Sequence, residues 1–158
     1  MCQTLGYHRE LPRNSRQSVS PRYAHFLFWM TYYVDKSLSL RLGRASTIQD
    51  WDITVSPPSL SSEDKAPVLA FFVFWIKTAR CQGNIYEMLY SPSSAAQPDD
   101  VRQARVTFLA SSLHEVAQET ERIKAGHNSG PLPLLYHLTI GHLRLNGSSL
   151  RRKTRATT

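Results

Sequence analysis

The sequence predicts an all-α fold of three to four long packed helices. Three stretches, roughly 21–42, 67–90 and 99–126, carry apolar residues at the three- and four-residue spacing of a helix face. Polar stretches that contain Pro or Gly separate them. The 158 residues include 41% hydrophobic and 20% charged residues, a composition that suits one globular domain with a buried core.

The first predicted helix has local signals at both ends. Ser20 is a suitable N-cap, Pro21 fits the first helical position, and Gly43 can adopt the left-handed backbone that ends a helix. Residues 37–42 also alternate as a strand would, but no turn signal separates them from the helix, so we interpret them as helical.

Apolar residues cover most of the circumference of this helix, so we expect other helices to surround it. They form one long stripe and two shorter ones: Tyr23, Leu27, Met30, Val34, Leu38 and Leu42; Trp29, Tyr33 and Leu40; and Phe28 with Tyr32.

The segments on either side of this helix are expected to be mostly irregular. Residues 1–9 are typical of the last turns of a helix, and residues 10–19 of a loop. Residues 44–60 should be irregular, with at most a short turn near 47–51, and residues 57–62 form a Pro- and Ser-rich linker.

Two further helices are predicted downstream. Pro67 can begin the second, which has few polar faces and extends to Tyr90, before a loop at 91–98. The third begins with Asp99 and Asp100 and ends at Gly126. A narrow core seam runs along it, formed by Val106, Leu109, Leu113, Val116, Thr120 and Ile123. Arg105 is among the residues expected to face solvent.

The net charge of +7 is confined to the end of the chain. Residues 1–121 contain 12 Lys and Arg against 12 Asp and Glu, and all seven excess positive charges follow Glu121. A folded nucleic-acid-binding surface would need a basic stripe on the body, so this distribution disfavours one. The basic cluster at 151–155 is either a nuclear-localisation or phosphate-binding patch or, as we favour, a solvated tail.

An ordered set of residues in and after the first helix resembles the fungal-specific transcription factor domain, the regulatory region of fungal zinc-cluster transcription factors. The matching positions are Phe28-Trp29, Tyr33, Asp35, residues 37–44 (SLSLRLGR), residues 48–50 and Asp52-Ile53. Residues 5–9 and short stretches between 76 and 91 resemble neighbouring family segments. The similarity covers roughly residues 2–138, after which a basic, atypical tail at 139–158 replaces the family's leucine-rich helix.

The resemblance implies that residues 1–138 are part of a regulatory domain that acts in the nucleus and is incomplete here. Its signature positions would be Trp29, Tyr33, Asp35, Gly43, Arg44, Asp50 and Asp52. DNA would be read only by a zinc cluster that this chain lacks, so we expect no zinc or other cofactor and no sequence-specific DNA binding here. Helix faces that meet absent segments should leave the isolated chain with exposed apolar surface.

The expected partners are a small-molecule effector or transcriptional partner proteins, and no membrane. A possible effector pocket consists of Trp29, Tyr33, Phe72 and Trp75, although core packing also explains these aromatic residues and is favoured. The longest apolar run, residues 68–76, is too short to span a bilayer.

Neither catalytic nor metal-binding residues are predicted. Asp50 and Asp52 could form an Asp-x-Asp metal pair, but we favour ion pairs with Arg41 or Arg44, and a pair between Asp35 and Arg44. His114-Glu115 lacks the second His of a zinc protease motif, because residue 118 is Gln. Cys81 is interpreted as a core residue.

Other functional classes stay open at this point. One is a small basic nucleic-acid-binding protein, and another is a helical small-molecule-binding protein. An enzyme would require an acid/base or metal set, for example Asp50, Asp52 and a His around one cleft.

Overall fold

The computed structural model describes residues 2–10, 20–59 and 67–126. Every regular element in these ranges is helical, which confirms the all-α prediction. The elements are α1 (Pro21–Arg41), a 3-10 turn (Asp50–Asp52), α2 (Pro67–Ile85), a π-turn (Tyr86–Tyr90), α3 (Pro92–Ala95) and α4 (Asp99–Gly126). The expectations for residues 11–19, 60–62 and 127–158, including the basic tail and the cluster at 151–155, lie outside the described residues.

Helix α1 begins and ends where its local signals predict. The Ser20 hydroxyl accepts a hydrogen bond from the Tyr23 amide at 3.3 Å. At the other end Gly43 has a φ of +65°, and the Arg44 amide donates back to the Ser39 carbonyl at 3.0 Å. The left-handed conformation of Gly43 ends the helix and allows the Arg44 amide to satisfy the Ser39 carbonyl.

The expectation that other helices surround α1 is wrong, because only part of its circumference is buried. Four residues of the long stripe, Tyr23, Val34, Leu38 and Leu42, have exposed fractions of 45% to 66%. The stripe of Phe28 and Tyr32 is buried instead, together with the neighbouring residues Ala24 and Trp29. A helix that is apolar on nearly all sides does not reveal which side its neighbours will occupy, so the stripes could not be ranked from the sequence.

Helices α1 and α2 pack side by side and run in the same direction. The Phe26 ring contacts the Phe72 ring with centroids 4.9 Å apart, and Tyr33 stacks on Trp75 at 5.3 Å. Further along both helices, the buried Ser37 hydroxyl donates to the Gln82 side-chain oxygen at 2.7 Å. Residue numbers therefore rise together along the two helices, and the long connection after α1 must return the chain to the starting end.

Helix α4 packs on the opposite side of α2 and runs antiparallel to it. The Lys77 ammonium, near the middle of α2, pairs at 2.7 Å with the Glu119 carboxylate in the second half of α4, while Arg105 near the start of α4 donates to the Met88 carbonyl just beyond the end of α2. The predicted seam of α4 is confirmed at Leu109, Leu113, Val116 and Thr120, which are all buried, and Val106 is half-buried. The side chain of Ile123 lies outside the described residues. Helix α2 is thus the central layer and contributes to two apolar clusters, one shared with α1 and one with α4.

The structure differs from the prediction at the end of the second predicted helix and at Arg105 in α4. The last five residues of the second predicted helix wind as a π-turn, in which the Ser91 amide donates to the Tyr86 carbonyl at 2.9 Å. Arg105, expected in solvent, is half-buried and donates to the Met88 carbonyl at 3.3 Å and to the Ser94 hydroxyl at 3.2 Å. Its guanidinium satisfies a carbonyl left open by the irregular winding.

Residues 2–9 form successive turns rather than the end of a helix. The physical reason is Gly6, whose φ of +74° interrupts helical winding, while the Tyr7 amide donates to the Cys2 carbonyl at 3.0 Å. Among the described residues, no helix has both the length and the hydropathy needed to cross a membrane.

Helices α1 and α2 are in tight contact at Gly83. A Cβ added there would lie 2.9 Å from Cδ of Lys36, whose side chain passes over the glycine. The Lys36 side chain is only 1% exposed, and its ammonium is held by Asp50 at 2.8 Å. The lysine is therefore not free to move away.

We expect Gly83→Ala to lower the free energy of unfolding by about 1–3 kcal/mol, because overpacking displaces Lys36. In an unobstructed helix the same change would be stabilising by about 1 kcal/mol. Urea unfolding followed by circular dichroism measures the difference. Ser111→Ala, at an exposed position of α4, is the matched control and should change stability little. A stabilised Gly83→Ala protein would show that the contact at Lys36 is loose.

Candidate functional site at the 43–52 turn and the aromatic cluster

Asp35 organises the chain as it leaves α1. Its carboxylate accepts hydrogen bonds from the Ser46 hydroxyl, from the Thr47 hydroxyl at 2.7 Å and from the Ile48 amide at 3.2 Å. These contacts fold residues 43–52, which we call the signature turn, back against the helix. The expected ion pair between Asp35 and Arg44 is wrong, because the carboxylate is taken up by turn donors instead.

These hydrogen bonds also set the ionisation of Asp35. Partial burial opposes the charged form, but the donors from Ser46, Thr47 and Ile48 outweigh it and hold the pKa below the ordinary 3.8. The carboxylate is therefore charged at neutral pH and stabilises the folded turn in that form.

Asp50 lies at the centre of a polar cluster that joins the signature turn to both parallel helices. One carboxylate oxygen pairs with the Lys36 ammonium of α1 at 2.8 Å, and the other lies 3.6 Å from Nε of Arg80 on α2. The Tyr32 hydroxyl donates to both oxygens at 3.1 and 3.2 Å. Burial first, and then the Asp50 charge, raise the pKa of Tyr32 and keep its hydroxyl a donor.

Asp52 fastens the N-terminal segment to the same turn. Its carboxylate accepts from the Arg9 guanidinium and lies 3.2 Å from Nε2 of His8. Two backbone hydrogen bonds also hold the N-terminal segment: the Thr54 and Val55 amides donate to the His8 carbonyl at 3.0 and 3.2 Å. The hydrogen bond from Arg9 is the main cause that holds the pKa of Asp52 below its usual value.

The two aspartates are thus structural, as favoured from the sequence, but their expected partners, Arg41 and Arg44, were wrong. The two carboxylates do not share one site, since Asp50 contacts Lys36 and Arg80 while Asp52 contacts His8 and Arg9. In the part of the chain that the structure describes, no group of three or more His, Cys, Asp or Glu residues could hold a metal ion.

The remaining reactive side chains are placed as structural ones. His114 hydrogen-bonds to Gln118, one turn further along α4, at 2.8 Å between Nε2 atoms. Cys81 is buried in the cluster between α2 and α4, and burial raises the pKa of its thiol.

All four aromatic residues of the expected pocket belong to one cluster. Trp29 is 1% exposed, and its indole N–H donates to the Ser56 carbonyl at 3.3 Å, so the chain after the turn covers it. Phe72 is buried behind Phe26. Tyr33 and Trp75 are only partly buried and stack almost parallel, at 15°, on the edge of the cluster.

Sequence reasoning gave no role in the signature turn to its three partners Lys36, Arg80 and His8. It also gave no role to Gln82 and Gly83, which lie against Ser37 and Lys36 of α1. Two of them left a signal. Lys36 interrupts a nearly continuous apolar helix, and Gly83 is a poor helix former inside a long helix. Each anomaly is explained by the other, since the absent side chain at Gly83 makes room for the buried lysine.

We expect Asp50→Asn to lower the free energy of unfolding by about 3 kcal/mol, because it leaves the Lys36 charge buried without its partner. Asp52→Asn is the matched control, since its charged partner Arg9 is 59% exposed while Lys36 is 1% exposed, and its loss should be distinctly smaller. Urea unfolding at pH 7 compares the two. Equal losses in both variants would contradict the central role assigned to Asp50.

The lowered pKa of Asp35 predicts a pH dependence. Its contribution to stability is fully present above the unfolded value of 3.8 and is lost as pH falls through the folded pKa. The stability difference between wild type and Asp35→Asn should therefore be constant near pH 7 and shrink below pH 3.8. Urea unfolding between pH 7 and pH 3 measures it, and a difference that is independent of pH would refute the charged role.

Comparisons with known proteins agree with the resemblance seen in the sequence. Residues 1–118 match the family model of the fungal specific transcription factor domain. The chain is 31% identical to Protein STB5 of Saccharomyces cerevisiae over 126 residues, which cover 76% of this chain. It is 24% identical to an ABC-transporter-regulating transcription factor of Aspergillus oryzae over 158 residues, covering 90% of this chain.

Each match covers only 17% of the relative's own length, so the chain corresponds to one part of proteins several times longer. No solved structure matches the chain. The family match takes in the described residues 2–10 and 20–59 and most of 67–126, including all the positions of the signature turn. The chain belongs to the fungal specific transcription factor domain family, whose members are regulatory domains of transcription factors rather than enzymes.

Proposed function

We propose that this chain regulates transcription as part of a fungal zinc-cluster transcription factor in the nucleus. In this proposal a zinc cluster elsewhere in such a protein reads DNA, and this domain controls the activity of the DNA-bound factor. The observation that carries the proposal is the family match over residues 1–118, which includes the whole signature turn.

The packing of the turn supports a regulatory role. Asp50 contacts α1 through Lys36 and α2 through Arg80, so the turn and both helices must move together or break a charged contact. Packed elements of this kind tend to have discrete arrangements, and an effector acts by favouring one of them. The domain is therefore suited to pass a binding event on one helix to the other.

The proposed effector site is the edge of the aromatic cluster formed by Tyr33 and Trp75. The stacked rings offer a partly exposed apolar surface, behind which Trp29 and Phe72 form a buried wall. A flat, apolar small molecule or an aromatic side chain of a partner protein has the chemistry to stack there.

The test places the chain between a heterologous DNA-binding domain and an activation domain in yeast, with a reporter gene. We expect nuclear accumulation and reporter output that changes by at least threefold between growth conditions when the chain is present. Trp75→Ala should remove this modulation while the fusion protein stays at the same level, because it removes half of the aromatic stack.

Phe108→Ser serves as the matched control, since Phe108 lies on α4 and is 55% exposed. Its reporter response should equal that of the wild type. A reporter that is insensitive to the chain under every condition, or a fusion protein kept out of the nucleus, would contradict the proposal.

A further inference from the structure

Three serines that follow the π-turn form one hydrogen-bonded group, which we call the serine cluster. The Ser91 hydroxyl donates to the Glu87 carbonyl at 2.6 Å, and its oxygen lies 2.9 Å from Oγ of Ser94. Oγ of Ser93 lies 3.1 Å from the same oxygen. Ser94 is buried, Ser91 is half-buried and Ser93 is exposed, so the cluster reaches from the surface into the junction between the π-turn and α4.

Arg105 brings a positive charge to this cluster without a matching negative one. Its Nη1 donates to two neutral acceptors, the Ser94 hydroxyl at 3.2 Å and the Met88 carbonyl at 3.3 Å. In the described part of the chain no carboxylate forms an ion pair with Arg105, whereas Arg102 lies 3.8 Å from Asp99.

The fork of the Arg105 guanidinium has one edge left for an anion. Its Nε and Nη2 have no hydrogen-bond partner among the described residues, since both contacts of the group are made by Nη1. Partly buried guanidinium groups are suited to carboxylates and phosphates, because two oxygens of either group fit two N–H donors of the planar fork. The unused edge therefore suits an oxyanion better than a further neutral acceptor.

The sequence offers a way to place such an anion beside Arg105. Ser91 precedes Pro92, and proline-directed protein kinases modify a serine in that position. Tyr90 is 38% exposed, and Pro92 and Ser93 are exposed too, so the segment lies at the surface. Two other Ser-Pro pairs occur, at 20–21 and 56–57, but among the described hydrogen bonds only those of Ser91 lead to an arginine.

We propose that Ser91 is a phosphorylation site for a proline-directed protein kinase and that Arg105 binds the phosphate. The Ser91 oxygen forms a bond to the γ-phosphorus of ATP, the bond from that phosphorus to the β-phosphate oxygen breaks, ADP leaves, and the hydroxyl proton passes to the base of the kinase. This site goes beyond the regulatory role proposed above and does not depend on it.

The surrounding hydrogen bonds tolerate the modification. The Glu87 carbonyl also accepts from the Ser94 hydroxyl, so it keeps a donor when Ser91 loses its hydrogen. The Ser94 amide, which donates to the Ser91 oxygen at 3.2 Å, can donate to the phosphate instead. The phosphate oxygens extend beyond the Ser91 oxygen and can reach the guanidinium, from which it is separated by only the two contacts through Ser94. Phosphorylation should therefore tie the chain after the π-turn to α4 by charge-assisted hydrogen bonds.

The first test asks whether the folded chain is a substrate. The purified full-length chain is incubated with a proline-directed kinase and ATP, and the modified peptides are identified by mass spectrometry. Phosphate should be found on Ser91 and on the exposed Ser56, which serves as the internal control. Pro92→Ala should remove the phosphate from Ser91 and leave that on Ser56. Modification of Ser56 without modification of Ser91 in the wild-type chain would overturn the proposal.

The second test asks whether Arg105 holds the phosphate. The full-length chain is prepared with phosphoserine introduced genetically at position 91, and the second ionisation of the phosphate is titrated by ³¹P NMR. Its pKa, ordinarily about 6, should lie lower by about 0.5 in the wild-type background than in Arg105→Gln, because the guanidinium favours the dianion. Arg105→Lys should give an intermediate pKa, and it serves as the comparison should Arg105→Gln fail to fold by circular dichroism.

The chain phosphorylated at Ser56 is the matched control, and its titration should be the same with and without Arg105→Gln or Arg105→Lys. A Ser91 phosphate whose pKa is unchanged by both variants would overturn the assignment of Arg105. Binding of inorganic phosphate to the unmodified chain that is lost in Arg105→Lys would overturn it too, in favour of a site for a free anion. Neither test uses a reporter, so both are independent of the transcriptional test.

Discussion

The buried ammonium of Lys36 is the constraint on which the arrangement of this domain depends. It lies between two helices with a side chain only 1% exposed, where an unpaired charge would cost several kcal/mol. Asp50 supplies the compensating charge, and Gly83 supplies the space. The signature turn, α1 and α2 are thereby tied together at one point. None of them can shift alone without leaving a charge inside the protein.

The parallel packing of α1 and α2 explains why so much chain is needed between them. Antiparallel helices can be joined by a short loop, but here the chain must return along the whole length of α1 before α2 begins. Three carboxylates hold the chain that follows α1 in place by contacts with protein donors. Asp35 binds the start of this connection, Asp50 contacts both helices, and Asp52 contacts the N-terminal segment. All three carboxylates therefore stabilise the fold through contacts with protein donors.

The central position of α2 gives the domain two apolar clusters with different character. The cluster between α2 and α4 contains the regularly spaced seam residues of α4, and at its end Arg105 donates a hydrogen bond to the Met88 carbonyl of the π-turn. The cluster with α1 is rich in aromatic rings, carries polar contacts along its edge, and reaches the surface at Tyr33 and Trp75. Helix α1 also carries exposed apolar residues outside this cluster, among them Val34 and Leu38.

The sequence by itself determined the class of fold, the family and, apart from the last five residues of the second, the extents of the three long helices. Those features follow from local signals, such as Ser20 and Gly43 at the ends of α1 or the regular seam from Leu109 to Thr120. It also marked Trp29 as a core residue. Only the tertiary structure decided that α1 and α2 are parallel, that Phe28 and Tyr32 face inward while Val34 and Leu38 face out, and that Asp50 pairs with Lys36 and Arg80. The physical reason is that these choices depend on which segments meet across a long return of the chain, and a helix that is apolar on every side accepts neighbours on any of them.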